Sequence, residues 1–263
     1  YNLEFIYDLS DFVKFGGLQV GANFRQYEIG FHNGIMSNSP ELNAVHGPLK
    51  PWEYAIFAQG TKWFFDERIK LQGALRFDES DSYGKNISPS FSTVLKAKEN
   101  HYIRFSFQKA RLNPPLFWSY LYIPQQGYLA IGGGKGNLER LGLEHLHERA
   151  VDIDWATGDT THVSIPHPTG EKLSAYEFGY KALVDNNLFF DVNYYYNYTT
   201  NLRDDDFIVS DPDSVQYIDI PGVYTGWNPG QIYYVFSSNE DHQEKIHGLS
   251  LGVGYNFDNG LIL

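Results

Sequence analysis

The sequence predicts an all-β chain: an antiparallel up-and-down β-barrel that crosses a membrane, with about nine to ten strands of a larger barrel within 263 residues. Three observations carry that reading. Apolar and polar residues alternate with a period of two from one end of the chain to the other. The connections between the alternating runs are in turn short and long. Aromatic residues make up 17% of the chain, with 20 Tyr and 19 Phe, types that favour strands and, for Tyr, the membrane–water interface.

Taken in order, Tyr1/Leu3/Phe5/Tyr7 alternate against Asn2/Glu4/Asp8, and Leu18/Val20/Ala22/Phe24 against Gln19/Asn23/Arg25. Residues 54–65 carry apolar side chains on both faces, so their facing is left open. Ile69/Leu71/Leu75/Phe77 then oppose Lys70/Gln72/Arg76/Asp78, and Tyr176/Phe178/Tyr180/Ala182/Val184 oppose Glu177/Lys181. Leu188/Phe190/Val192/Tyr194/Tyr196/Tyr198 oppose Asp191/Asn193/Asn197/Thr199, and Leu249/Leu251/Val253/Tyr255/Phe257 oppose Ser250/Asn256. Short turns fall at residues 10–11, 66–68, 98–100, 185–187 and 258–260, with longer connections at about 30–51, 79–86, 112–171 and 203–230. Short turns at one end and long loops at the other are what a membrane barrel shows, whereas a soluble sandwich has no reason to sort its loops. With the short turns inside, the run from Leu188 ends outward in three tyrosines at the height of an interfacial girdle. Leu261, Ile262 and Leu263 open a tenth strand, and a membrane sheet cannot leave two edges unpaired. The pattern therefore predicts a piece of a longer barrel.

Composition closes several branches. A formal charge of −12 argues against nucleic acid as a partner. Without cysteine there is no disulfide framework, thiolate nucleophile or thiolate metal site. The opening residues carry no signal-peptide pattern, and no run reaches the ~18 unbroken apolar residues of a membrane helix.

Six runs, in order, resemble strands of TonB-dependent outer-membrane receptors, with wording nearest to the Bacteroidetes type. Residues 69–78 (IKLQGALRFD) are similar to the family's L-x-G-x-R-Y-D strand, and 87–91 (ISPSF) to the S-P-R-x-S that follows. Residues 103–115 (IRFSFQKARLNPP) resemble the R-x-S-x-x-x-G-F-R-x-P strand exit, with Lys109-Ala110-Arg111-Leu112 departing from x-G-F-R. Residues 176–181 (YEFGYK) resemble Y-E-x-G-Y-K, followed by 191–196 (DVNYYY). Residues 247–251 (HGLSL) resemble a G-x-E-L strand in which Ser250 replaces Glu. The resemblance implies the middle to late part of an about 22-stranded barrel, with the plug domain outside residues 1–263. It further implies active uptake of a scarce nutrient bound at the outer mouth. The implied partners are outer-membrane lipid, the TonB complex acting through the plug, a small-molecule, oligosaccharide or siderophore ligand, and a surface lipoprotein.

Inward-facing Lys70, Arg76, Arg104, Glu177, Lys181, Asp191 and Asn193 fit a polar lumen, as charges that pair with one another or with the plug. Trp118, Tyr120, Tyr122, Trp155, Tyr217 and Trp227 in the long loops either stack on a planar ligand or pack the loops. Residues 137–150 are expected to form a short helix with Asn137 as N-cap, weakened by Gly142, and Gly132, Gly133, Gly134 and Gly136 a flexible loop tip. No catalytic constellation, resident cofactor or metal site assembles from spacing. His147-Glu148 lacks the second His of a zinc helix, and the Asp152/Asp154 and Asp204–Asp206 clusters lack calcium-loop spacing. The rival functions are a passive porin-like channel and a soluble β-sandwich binding module.

Overall fold

The structure is a computed structural model that describes residues 1–13, 16–29, 36–37, 40–125, 128–145, 150–153, 157, 159–164, 167–185, 187–210, 233–239 and 242–257. Its frame is a nine-stranded sheet in which every neighbour is antiparallel. In chain order the strands are β1 (Asn2–Asp8), β2 (Gly17–Gln26), β3 (Trp52–Phe64), β4 (Ile69–Ser80), β5 (Gly84–Lys98) and β6 (His101–Leu112). They continue as β11 (Glu171–Val184), β12 (Leu188–Thr200) and β15 (Gln243–Tyr255). Sequential strands are spatial neighbours throughout, as up-and-down order requires, and the tenth strand expected from Leu261 lies outside the described residues.

Register decides the faces. Phe5 pairs with Ala22, which pairs with Ile56, then Phe77, Ile87, and so on along the sheet, so the odd set of β1 and β4 shares one face with the even set of β2 and β3. The ambiguous stretch resolves on the same rule. Tyr54, Ile56 and Ala58 join the apolar face, while Glu53, Phe57, Gln59 and Trp63 turn to the polar one. Among the described residues no second layer covers the apolar face: Leu3, Leu75, Phe178 and Leu251 are all exposed, and Leu249 stays 71% exposed. A sandwich would bury these side chains against a facing sheet about 10 Å away, so the soluble alternative fails and hydrocarbon is the solvent that fits.

The tight turns place non-glycine residues in left-handed backbone, at Phe65, Asp66 and Glu67 between β3 and β4, Asn100 between β5 and β6, and Asp185 between β11 and β12. The expected longer connection at 79–86 is a correction: β4 and β5 run on until only residues 81–83 join them. Tyr83 explains it. Its amide donates to Ser80 Oγ at 3.0 Å, and its phenol donates to the Pro114 carbonyl at 2.7 Å, pinning a tight hairpin against the chain leaving β6.

The described residues between β6 and β11 fold into a cap. It comprises α2 (Leu116–Tyr120), β7 (Tyr122–Gln125), β8 (Tyr128–Ile131), α3 (Lys135–Leu141), β9 (Ala150–Ile153) and β10 (Thr160–Val163). The loop after β12 supplies β13 (Arg203–Ser210) and β14 (Tyr233–Asn239), and the six cap strands form one sheet in the order β10-β9-β13-β14-β8-β7. Within it β14 pairs parallel to β8, joining the two long loops. The loop between β2 and β3 carries α1 (Pro40–His46) and is clamped by Arg140, which donates to the carbonyls of Ser37 (2.9 Å) and Gly47 (3.0 Å) and to Asn43 Oδ1 (2.8 Å).

Two local expectations are corrected here. The helix starts earlier than Asn137 and stops at Leu141, because Gly142 takes φ 68° and closes it as a C-terminal glycine. Asn137 sits inside the helix, 0% exposed, and its Nδ2 donates to the carbonyls of Leu121 (3.1 Å) and Gly132 (2.7 Å). The glycine run is packed: a Cβ on Gly132 would lie 2.5 Å from the Ser119 carbonyl, so glycine there permits backbone contact between α2 and the start of α3. Asn137→Ala is expected to take the side-chain donor from the Gly132 carbonyl and one of two donors from the Leu121 carbonyl, which keeps the Gly132 amide at 2.9 Å, at a cost of about 1–3 kcal/mol. Limited proteolysis of the folded protein should then cut the cap faster while the barrel keeps its heat-resistant migration on gels.

Candidate functional site

Along the polar face, one ion pair organises the centre. Arg104 on β6 reaches across β11 to Asp191 on β12, Nη2 to Oδ1 at 2.7 Å. The strand between contributes Gly179, directly opposite both Arg104 and Asn193, and a Cβ there would lie 2.9 Å from Arg104 Nε and Asn193 Oδ1. Glycine at this position is what lets a long side chain lie flat across a strand. With Ser92, Glu177 and Ser250, these groups line a cleft of about 620 Å³. Both partners are about a third exposed or more, so the pair contributes about 0–1 kcal/mol and acts chiefly to fix orientation.

The other lumen candidates separate by height. Lys181 and Lys70 lie toward the short-turn end, their ammonium groups over the rings of Phe189 (5.0 Å) and Trp63 (5.5 Å). Arg76 lies near the long-loop end, bound to Asp78 at 2.7 Å. The structure thus gathers Arg104, Glu177, Asp191 and Asn193 into one cleft and leaves Lys70, Lys181 and Arg76 outside it.

At the mouth the structure adds residues not singled out from the sequence. Arg25 meets Glu53 at 3.3 Å, and Tyr27 donates to the same carboxylate at 2.9 Å. Arg25, Arg76 and Arg111 line a small cleft of about 140 Å³ together with Glu53, Asp78 and Asn113. Glu53 and Asn113 also line an adjoining cleft of about 340 Å³ under the cap, with Asp81, Tyr83 and Leu116. Asn113 Oδ1 is buried without a hydrogen-bond partner where the two meet. Burial raises the Asp81 carboxyl above its ordinary range, against hydrogen bonds from Ser82 and the Trp52 amide that act the other way. Glu53 escaped notice because it directly precedes the stretch whose facing was ambiguous, and Asn113 because it follows the strand's last residue.

The loop aromatics divide. Tyr120 and Tyr122 are buried in the cap: the Tyr120 phenol lies 3.3 Å from Ser82 Oγ, and burial pushes the Tyr122 phenol up to about 12. Both side chains are packed within the cap. Trp118 is half-buried, edge-on to Phe117 at 5.4 Å. Trp155, Tyr217 and Trp227 lie outside the described residues.

A single-layer sheet with a bare apolar side, a charged inner side and a folded cap over clefts at one end is what the wall and mouth of a membrane barrel look like. The chain belongs to the TonB-dependent receptor family, whose β-barrel model, described as "TonB dependent receptor-like, beta-barrel", matches residues 1–263. Among solved structures it is similar to the siderophore receptor PirA of Pseudomonas aeruginosa (19% identity, TM-score 0.57), covering 97% of this chain and 39% of that one. It is similar also to the ferric enterobactin receptor of the same organism (17%, TM-score 0.62, 99% and 34% covered). The FrpB iron transporter of Neisseria meningitidis matches at 15% identity and TM-score 0.53, with 97% and 32% covered. The chain therefore spans about a third of the length of these receptors. No curated protein sequence matches it significantly. The sheet is thus part of the wall of an outer-membrane barrel.

A double-mutant cycle tests the central pair. Arg104→Ala should cost about 1 kcal/mol or less in urea unfolding of the detergent-solubilised barrel. In a Gly179→Val background, where the added side chain already displaces the guanidinium, the same change should cost nothing further.

Proposed function

We propose that this chain is the middle to late barrel portion of a TonB-dependent receptor that captures an anionic, oxygen-rich chelate, of the iron–siderophore kind, at its outer mouth for active import. The supporting observation is the mouth itself: three guanidinium groups, Arg25, Arg76 and Arg111, line one small cleft beneath a folded cap. Arginine presents a planar fork of donors matched to carboxylate and catecholate oxygens. Arg25 and Arg76 are held in place by Glu53 and Asp78, and Arg111 by the carbonyls of Tyr83, Gly84 and Lys85, so they are positioned before any ligand arrives.

The burial of Tyr120 and Tyr122 removes stacking surface that a sugar ligand would use, which favours the chelate over an oligosaccharide. The similarity to siderophore receptors points the same way. In this reading the polar face meets a plug domain encoded outside residues 1–263, through which the TonB complex acts. The protein moves its ligand and performs no catalysis on it. Trp118, with Trp155, Tyr217 and Trp227, remains a proposed contact at the mouth.

Two measurements test the reading. In liposome swelling, the intact receptor should give no free flux of small sugars, and open flux would support a passive channel in its place. Ferric enterobactin, used as a probe chelate, should quench tryptophan fluorescence saturably. Arg25→Ala or Arg76→Ala should weaken that binding about tenfold or more, and Trp118→Ala should weaken it less. No binding of enterobactin or of other ferric chelates would overturn the chelate assignment.

A further inference from the structure

Above the aromatic belt, the lipid-facing side of β6, β11, β12 and β15 changes character. Register places Phe107, Tyr176, Tyr196 and His247 in one row across these four strands. The next row outward is Lys109, Ser174, Tyr198 and Lys245, and Lys172 stands one step farther beside Thr200. Lys109, Lys172 and Lys245 are all exposed, and none forms an ion pair among the described residues. Lys245 lies over the Tyr198 ring at 5.8 Å. No carboxylate occupies these rows of this face. In a chain of net charge −12, three unpaired ammonium groups in one segment of wall are a local reversal of sign.

The contrast along the same rim is sharp. At the equivalent height on β3, β4 and β5 the outward set is Tyr54, Glu79 and Lys85, where the tyrosine phenol donates to the Glu79 carboxylate and Lys85 stands opposite that carboxylate. There the charges cancel within the protein. On the β6–β15 side no carboxylate among the described residues cancels them.

We propose that Lys109, Lys172 and Lys245 form a binding site for the phosphorylated sugar head group of an outer-leaflet glycolipid, its acyl chains lying on the apolar wall below. The rows beneath the lysines are Phe105, Phe178, Tyr194 and Leu249, all exposed, so the patch continues the surface that faces lipid. A lipid molecule standing against that surface brings its head group to the height of the lysines. Standard strand spacings put the three lysine Cα atoms about 8–14 Å apart, wide enough to engage more than one phosphate on a sugar core. Ser174, Tyr198 and Thr200 add hydroxyls between them for the sugar. A basic residue near a charged membrane surface contributes about 1 kcal/mol, so the cluster concentrates anionic head groups without a deep pocket.

The test compares wild-type receptor with the triple variant Lys109→Gln/Lys172→Gln/Lys245→Gln, both checked for heat-resistant barrel migration. After identical detergent washing, glycolipid per protein is measured by mass spectrometry, then rebinding is measured in phosphatidylcholine vesicles doped with purified lipid A. The triple variant should retain about tenfold less lipid, and the corresponding Lys→Arg triple should retain the wild-type amount. Lipid A stripped of its phosphates should bind the wild type as poorly as intact lipid A binds the triple variant. If the triple variant fails to assemble, each single Gln variant is expected to show a partial loss. Equal retention by wild type and Gln variants, or equal binding of dephosphorylated lipid, overturns the site. Displacement of lipid A by an equal concentration of inorganic phosphate overturns the lipid assignment in favour of a free-anion site.

Discussion

A backbone that crosses hydrocarbon has nowhere to send its N–H and C=O groups except to its neighbours. In this chain that demand is met by nine strands in unbroken antiparallel sequence, and much of the rest follows from the pairing. Once β2 is paired to β3 with Phe24 opposite Tyr54, parity assigns every side chain of both strands to lipid or lumen. A one-residue slip would turn Arg25 and Glu53 into the bilayer, which is why register is held so firmly where the two faces differ in solvent.

Much of this was legible in the residues themselves because its causes are local. Alternation, aromatic height and turn chemistry each act over a few positions, and they identify the nine wall strands, with the facing of β1, β2, β4, β11, β12 and β15. Residues 54–65 were illegible for a physical reason. Phe57 lies on the polar side, filling the space over Gly21, where a Cβ would come 2.4 Å from its ring. A large apolar side chain resting on a cross-strand glycine looks like a broken pattern until the partner strand is known.

The cap was illegible for a different reason. Its order comes from contacts between segments far apart in sequence: Tyr83 with Pro114, Ser119 with Tyr83, Arg140 with Ser37 and Gly47, Asn137 with Leu121. Spacing cannot show a glycine that is small because another backbone passes it, so the run at Gly132–Gly134 looked like a loop tip. The mouth cleft shares this origin. Arg25 stood out only as an alternating polar residue and Arg76 as one of the lumen charges, and their meeting with Arg111 depends on β2, β4 and β6 ending at one rim.

The parallel pairing of β8 with β14 reaches beyond packing. Surface segments of a bacterial envelope protein are the parts that antibodies and phages meet first, and separate loops can change one at a time under that pressure. Here the two longest segments share a backbone ladder, so an insertion within either paired strand disrupts its pairing with the other. Variation at this surface is expected to come as matched replacements of both segments, and an antibody raised to one of them as a free peptide should recognise the native surface poorly.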